Sequence, residues 1–391
     1  MLTMLGSLFV SRSMLAISIL AFVAVALIHR NIREQLASFF NTPLLWGMSL
    51  LFFAPLLSGM WSADLQQWME VMKTKLPLLF LPLAFASRFR FSTLQWRSLA
   101  VFFIAVVFIA SGWTLIQYAV SPEVINESYL KAKTMITPLA NDHVRFSWLV
   151  FAAILASSFL FYQERRRSFS WILVFVAILL TTYLHLLAVR TGLLSFYLSL
   201  FFLALWALSK TKLKIGLLIL AVTLLLPVTA YFMLPSFRNK LLYFKYEWGY
   251  ASKVHYLPHS NDAVRVISMK AGWSVMNRNP FTGIGYGDAG AATRDYYDKQ
   301  YPQMEEADKI LPSSQWILFG MATGIIGGLV FLFCLLLPFF TRVTYPLPWG
   351  ILNGTLAIGS LYDIPLEVQF GVFIYSFFIL WWWQWMKAQK V

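Results

Sequence analysis

The chain of 391 residues is 59% hydrophobic and only 12% charged, whereas a soluble domain carries about a quarter charged residues. This composition excludes an ordinary cytosolic enzyme, a disordered chain and a disulfide scaffold, and it indicates a polytopic membrane protein. The formal net charge of +14 is better explained by cytoplasmic loops rich in Lys and Arg than by nucleic-acid binding.

About eleven stretches are long and apolar enough to be membrane-spanning helices. In chain order they cover residues 11–29, 42–61, 71–87, 96–120, 145–162, 170–189, 191–209, 213–234, 314–340, 345–361 and 365–385. The third carries Lys73, Lys75, Pro77 and Pro82, so we expect it to be broken or partly re-entrant. The sequence therefore predicts an all-α membrane protein. It has N-terminal transmembrane helices in 1–235, one long, partly helical loop in 236–312 between the eighth and ninth spans, and C-terminal transmembrane helices in 313–391.

The basic residues between these spans predict the orientation of the chain. If the spans alternate, one side of the membrane collects Arg30, Arg33, Arg88, Arg90, Arg97, Arg165, Arg166, Arg167, Lys210, Lys212, Lys214, Arg342, Lys387 and Lys390. The positive-inside rule makes this side cytoplasmic and places loop 236–312 outside. We interpret 11–29 as a retained span, because only Arg12 accompanies an apolar run that is long for a cleaved signal. The tryptophans of 381–385 have the composition of an interfacial belt.

Loop 236–312 is rich in Tyr, Trp and Phe, and a disordered linker would be poor in these residues. We expect it to fold as helices over the membrane mouth. Residues 263–276 have helical character, Asn279-Pro280 ends that helix, and the glycines of 283–287 predict a turn.

Several charged groups on the external side are candidates for chemistry, because charge next to apolar spans is costly. Arg190 sits between two spans, and its structural alternative is an interfacial arginine. Arg265 could equally be a solvated surface residue. His143 and Arg145 could simply start a helix capped by Asp142. His259 could be a plain loop histidine. We expect His185 to be a hydrogen-bonded core residue.

Other chemistries lack their motifs. The sequence has no Walker A motif, no HExxH or Cys/His zinc pattern and no Gly-x-Ser-x-Gly elbow, and the glycines of 283–287 lack the spacing of a dinucleotide site. Cys334, the single cysteine, cannot form an internal disulfide.

The order of the remaining motifs resembles the bacterial O-antigen ligase and polymerase-like family, from about residue 75 to residue 371. Arg190-Thr191-Gly192 is similar to that family's Ser/Ala-Arg-Thr/Gly motif. The stretch from Arg265 to 279–287 resembles its Arg…Asn-Pro-Leu-x-Gly-x-Gly loop segment. Residues 311–317 and 323–327 resemble its Pro-His-Asn-Gln-x-Leu…Gly-Ile-Ile-Gly, and Glu367-x-Gln369-x-Gly371 resembles a late element of some members.

The resemblance implies transfer of a glycan from undecaprenyl diphosphate in the bacterial inner membrane, at a site facing the periplasm. Fixed cations would stabilise the diphosphate leaving group. Arg190 and Arg265 are the catalytic candidates for this role, with Lys75 and Arg145 as helpers. The implied reaction uses no metal and no cofactor. Aromatic side chains of loop 236–312 would stack on the sugars.

The chain departs from the family at the start of the post-loop helix. The family's histidine, a proposed base, falls on Ser313, and its asparagine falls on Ser314, while Gln315 matches. A serine cannot serve as a base near neutral pH. We therefore expect His143, His259 or Glu367 to replace it, or Ser313 only to orient the acceptor, or activity to be lost.

The first hypothesis is a ligase that transfers the glycan to a lipid A-core acceptor. A polymerase that uses the same donor and a growing glycan as acceptor is the alternative. A transporter of lipid-linked glycan is less favoured, because no paired broken helices or half-repeats are visible. A non-catalytic scaffold that binds polyprenyl-linked glycan is kept open by Ser313.

Overall fold

The computed structural model describes residues 1–28, 32–87, 91–131, 133–164 and 167–388, and these ranges are helical without a β-strand. The first helices are α1 (Leu2–Val10), α2 (Arg12–Leu27), α3 (Ile32–Phe40), α4 (Pro43–Ser58), α5 (Leu65–Phe85), α6 (Thr93–Val120), α7 (Pro122–Ser128), α8 (Pro138–Asn141) and α9 (His143–Gln163). They are followed by α10 (Arg167–Leu187), α11 (Arg190–Ser209), α12 (Leu213–Met233), α13 (Pro235–Ala251), α14 (Asn261–Arg278), α15 (Ala289–Gln300), α16 (Gln315–Leu336), α17 (Pro346–Tyr362) and α18 (Gln369–Ala388).

The all-α membrane character is confirmed, and each of the eleven predicted spans coincides with a helix. Within the described ranges, six helices are long and apolar enough to cross a membrane, or seven if α2 and α3 form one bent span. The six are α6, α9, α10, α11, α12 and the run Gln315–Phe340 that begins with α16. The crossing of the membrane by α4, α5, α17 and α18 stays a prediction.

The prediction that the third span is broken is wrong, because α5 is one continuous helix through Pro77 and Pro82. A proline inside a helix leaves the carbonyl four residues earlier without its donor. For Pro82 that carbonyl belongs to Leu78, and the Ser49 hydroxyl on α4 donates to it at 3.3 Å. The neighbouring helix therefore supplies the hydrogen bond that the proline removes.

The prediction of an interfacial tryptophan belt is also wrong. Trp381, Trp382 and Trp385 are fully buried. Trp381 lies edge-to-face on Phe103 of α6, and Trp382 stacks on Phe159 of α9. These rings fill the interior because α18 packs against α5, α6 and α9. An interfacial belt and an aromatic core have the same amino-acid composition, and only the tertiary packing distinguishes the two.

Loop 236–312 is folded, as predicted, and it is largely helical through α13, α14 and α15. It packs on the end of the bundle where α10 ends and α11 begins: Ser236 donates to the Leu186 carbonyl at 2.8 Å. Asn279 ends α14.

The described basic residues of the predicted cytoplasmic loops lie at the opposite ends of the helices from loop 236–312. Arg97, near the start of α6, is an example, since it pairs with Glu164 just after α9. Arg30, Arg88, Arg90, Arg165, Arg166 and Lys390 lie outside the described residues.

The glycine-rich turn of 283–287 inserts into a break in α16. Gly324 has a φ of +71° and interrupts the helical backbone. Ile284 N donates to Met321 O at 3.0 Å, and Gly285 N donates to Ala322 O at 2.9 Å. A Cβ on Gly324 would lie 2.0 Å from the Phe281 carbonyl oxygen. The glycines are thus required for close backbone contact, and the turn fixes the first half of α16 against loop 236–312.

We expect Gly324→Ala to destabilise the protein by about 3 kcal/mol or more, because the left-handed backbone is strained for alanine and its Cβ overlaps a carbonyl. Gly328→Ala on the same helix is the matched control, since its Cβ would meet its nearest atoms at 3.7 Å. Thermal unfolding of the purified protein in detergent measures both. Equal unfolding temperatures for the two variants would contradict the role of the break.

Candidate functional site

The site is organised around residues 362–367, the segment that connects α17 to α18. Arg265 of α14 donates from NH1 to the Tyr362 carbonyl at 3.1 Å. Gln315, the first residue of α16, donates its backbone N–H to Asp363 O at 3.0 Å. Arg145 of α9 forms an ion pair with the Asp363 carboxylate at 3.0 Å. Three helices thereby hold the first half of this segment.

A buried ionic network holds the second half of the 362–367 segment. Lys75 Nζ, with no solvent exposure, donates to Leu366 O at 2.8 Å and to Glu367 Oε1 at 2.7 Å. The Gln315 side chain donates to the same Oε1 at 2.6 Å and accepts from Leu366 N at 2.8 Å. The Tyr286 ring of the glycine-rich turn lies 4.9 Å from Lys75 Nζ.

Four predicted substrate-binding residues, Lys75, Arg145, Gln315 and Glu367, are thus brought together around one segment. Lys75 and Arg145 each face a carboxylate of that segment at hydrogen-bond distance. Both are nearly buried as well as paired, with side chains 0% and 12% exposed, which favours a positioning role over direct contact with a diphosphate.

The cation cavity, defined by His143, Arg190, Lys240 and Arg265, lies beyond Tyr362 and has a volume of about 170 Å³. The first residues of α9, α11 and α14 line it. A helix N-terminus carries about half a positive charge and unpaired N–H groups. Three helix ends and the cationic side chains therefore give this cavity the electrostatics of an anion site.

Arg190 is the first residue of α11, and its side chain is 45% exposed. Its guanidinium bonds to Asp262, lies 4.0 Å from Glu247 and covers the Phe244 ring at 5.2 Å. The structure explains why the third residue of the Arg190-Thr191-Gly192 motif is a glycine. A Cβ on Gly192 would lie 2.7 Å from Ser147 O of α9, so the glycine lets α11 start close to α9.

Lys240 is the cation that the sequence did not single out. It lies on α13 among other basic residues, and only the packing of α13 on α14 brings it into the cavity. Burial is the main cause that lowers its pKa to about 8; Arg190 and Arg265 act in the same direction, while Glu247 and Asp262 oppose them. A lysine with such a lowered pKa distinguishes this cavity from an ordinary basic surface.

Glu247 and Asp262 were also missed, because neither belongs to a recognisable motif. Glu247 is 1% exposed and accepts from the Ser260 hydroxyl and Asn261 N–H. It therefore ties the end of α13 to the start of α14. A buried acid in an aromatic, basic helix is the signal that could have found it.

Ser313, the predicted catalytic position, is buried and lines neither this cavity nor an exposed surface. Its hydroxyl accepts from Ser268 of α14 at 3.1 Å, and its N–H donates to the Ser268 hydroxyl at 3.0 Å. These bonds fix the start of α16 on α14. Ser313 is held as a structural residue in this geometry.

The histidines have different environments. His143 lines the cation cavity, and Asp142 caps its helix as predicted by accepting from Arg145 N. His259 does not line the cavity; its side chain is 70% exposed and lies 3.5 Å from Glu305. His185 is a hydrogen-bonded core residue, as predicted, with ring nitrogens at 2.8 Å from Thr181 O and 2.6 Å from Tyr197 OH.

The described part of the chain contains no group of three His, Cys, Asp or Glu side chains placed to hold a metal ion. Metal independence of the implied reaction stays a prediction. The arrangement that the structure does contain can bind an anion with two or more charges through arginine, lysine and helix N-termini.

Residues 175–332 match the family model described as O-antigen ligase. This confirms the family resemblance inferred from the motifs, over a region that contains Arg190, Lys240, Arg265 and Ser313. It supports a likeness to O-antigen ligase- or polymerase-like membrane proteins over that region. No curated protein and no solved structure matches the chain.

We expect Lys75→Met to destabilise the protein by about 3–5 kcal/mol, because it leaves the buried Glu367 carboxylate without its partner. Adding Glu367→Gln should recover part of this loss by removing the uncompensated charge. Lys73→Met is the matched control two residues away, since Lys73 pairs with Glu70 at the surface and should cost less than about 1 kcal/mol. Thermal unfolding in detergent measures all three; equal losses for Lys73→Met and Lys75→Met would contradict a structural ion pair.

Proposed function

We propose that this protein is an O-antigen ligase-like glycosyltransferase of the bacterial inner membrane. It transfers a glycan from undecaprenyl diphosphate to a lipid A-core acceptor on the periplasmic side. The cation cavity is the observation that carries this proposal, because it joins the two predicted catalytic arginines at one anion site.

The cation cavity suits the diphosphate of such a donor. It contains Arg190 and Arg265, and a guanidinium group binds phosphate oxygens through several N–H groups. Lys240 and the N-terminus of α11 add further positive charge. At about 170 Å³ the cavity holds a head group and leaves the sugars and the lipid tail outside it.

In the proposed reaction the acceptor hydroxyl attacks the anomeric carbon while the bond from that carbon to the diphosphate oxygen breaks. Negative charge grows on the leaving diphosphate, and fixed cations lower the barrier by stabilising that charge. One displacement inverts the configuration. The hydroxyl proton must pass to a base, and no cofactor or metal is needed in this scheme.

The three candidates for replacing the family's histidine differ in their positions. His143 shares the cation cavity and would contact the leaving group. His259 is at the surface beside Glu305, which gives it the weakest support as a catalytic residue. Glu367 lies at the other end of the 362–367 segment and is the candidate on the acceptor side.

A polymerase that uses the same donor is the second candidate function, because the cation cavity serves both reactions equally. A transport or scaffold protein would need the cavity only for binding. Incubating the purified protein with undecaprenyl-diphosphate oligosaccharide, with and without lipid A-core and in the presence of EDTA, separates these functions. Glycan on lipid A-core supports the ligase, elongation of the donor supports the polymerase, and donor binding without product contradicts both.

We expect Arg190→Ala and Arg265→Ala each to reduce the transfer rate by about a hundredfold or more, since each removes a fixed charge from the leaving group. Arg278→Ala, on the same helix as Arg265 but outside the cavity, is the matched control and should stay within about twofold of the native rate. The measurement is glycan transfer by purified protein of verified unfolding temperature. Native rates in both arginine variants would contradict the assignment of the cavity.

We expect donor affinity to fall by about tenfold as the pH rises from 7 to 9.5, because Lys240 loses its proton through a pKa of about 8 and with it a charged hydrogen bond to phosphate. The two phosphates of the donor stay singly ionised over this range. Lys240→Arg should keep its affinity up to pH 9.5. Donor binding measured against pH checks both, and an identical decline in Lys240→Arg would assign the titration to another group.

A further inference from the structure

A second cavity, here called the polar cavity, lies at the same end of the molecule and shares no lining residue with the cation cavity. Its volume is about 370 Å³, more than twice that of the cation cavity at about 170 Å³. Asp64 and Gln67 at the start of α5, Tyr286 of the glycine-rich turn, Arg294 of α15 and Glu367 contribute to its walls.

The chemistry of the polar cavity differs from that of an anion site. Two carboxylates, Asp64 and Glu367, face the same space as Arg294 and the Gln67 amide. Asp262 also lines the cation cavity, but Arg190, Lys240 and Arg265 outweigh it there, whereas the polar cavity has two carboxylates beside one unpaired guanidinium group. Sugar hydroxyls both donate and accept hydrogen bonds and pair with acids, amides and guanidinium groups alike. The lining therefore matches a carbohydrate.

Two of these side chains are available for a ligand. The side chains of Gln67 and Arg294 are exposed and make no hydrogen bond or ion pair within the described part of the chain, although the Gln67 backbone N–H donates to Asp64. Lys309 also lines the cavity, but Asp298 and Glu306 occupy its ammonium group. Free donors and acceptors thus lie along the wall formed by α5 and α15.

The two oxygens of Glu367 have different roles. Oε1 accepts from Lys75 and Gln315 and lies 3.5 Å from the Tyr286 hydroxyl. Oε2 accepts no hydrogen bond from the described residues, and the side chain lines the polar cavity. The network on Oε1 restricts the carboxylate, and it leaves Oε2 as the oxygen without a partner among the described residues.

We propose that the polar cavity binds the acceptor sugar and that Glu367 Oε2 takes the proton of its attacking hydroxyl. The inference rests on the proposed glycosyl transfer. An inverting displacement needs the hydroxyl and the diphosphate on opposite faces of the anomeric carbon. The 362–367 segment has Tyr362 in the wall of the cation cavity and Glu367 in the wall of the polar cavity, which gives the two reactants separate binding sites.

The bonds in this step balance. The hydroxyl oxygen forms a bond to the anomeric carbon, and its proton moves to Glu367 Oε2. The bond from the anomeric carbon to the diphosphate oxygen breaks, and the electron pair leaves with the diphosphate. The proton then passes from Glu367 to water, which restores the carboxylate.

The first experiment measures binding and does not depend on catalysis. Full-length protein in nanodiscs is titrated with deacylated lipid A-core oligosaccharide by calorimetry. The double variant Gln67→Ala/Arg294→Ala should bind at least about tenfold more weakly than the native protein. The matched control Gln66→Ala/Arg278→Ala changes the same residue types outside the cavity and should bind like the native protein. Equal affinities in the two double variants, or no saturable binding by the native protein, would overturn the assignment.

The second experiment measures transfer. Gln67→Ala/Arg294→Ala should raise the KM for the acceptor about tenfold and leave the KM for the donor unchanged. Glu367→Gln should lower kcat by about a hundredfold. Lys75→Met/Glu367→Gln, which leaves neither charge of the buried pair alone, should lose kcat to the same extent. A native kcat in Glu367→Gln would refute the proton role. Oligosaccharide binding by a native protein that transfers no glycan would contradict the proposed function and the proton role, and would leave the cavity as a sugar site.

Discussion

The ion pair between Lys75 and Glu367 is the interaction on which the rest of this structure depends. A charge inside a helical bundle is tolerated only when a partner compensates it, so α5 and the 362–367 segment must come together. The same carboxylate oxygen receives Gln315 at the start of α16. The Glu367 carboxylate thereby connects residues as far as 292 positions apart in the chain. It also sets the position of the 362–367 segment, which separates the two cavities.

The helices and both arginines could be predicted from the sequence, because apolar length and isolated charge are local signals. Local patterns singled out Arg190 and Arg265 separately, and only the family resemblance assigned both to one diphosphate. That they share a cavity depends on how α14 packs, which no local pattern encodes. Lys240 was missed for the same reason, since α13 also carries Arg238 and Lys245 and nothing in the pattern separates them. The tryptophans of α18 were misplaced because a membrane interface and an aromatic core select the same residues.

The two cavities draw differently on the region that matches the family model. Residues 175–332 supply Arg190, Lys240 and Arg265 of the cation cavity. The polar cavity also draws on Asp64, Gln67 and Glu367, which lie outside that region. Ser313 lies inside it, yet its bonds to Ser268 are those of a packing residue. The position that resembles a catalytic histidine is held as a structural residue here, and Glu367, whose carboxylate bonds to the Gln315 side chain two residues after Ser313, is the acidic group proposed to replace it.

The ion pair between Arg190 and Asp262 has a consequence for selectivity. In the free protein the arginine already holds an anion, and that anion is covalently attached and therefore present at a high effective concentration. Under the proposed function, a ligand of Arg190 would compete with this carboxylate. A diphosphate would face Arg190, Lys240 and Arg265 together, whereas an anion with one charge would offset less of the loss of Asp262. In that scheme Asp262 is an internal competitor that favours anions with more than one charge.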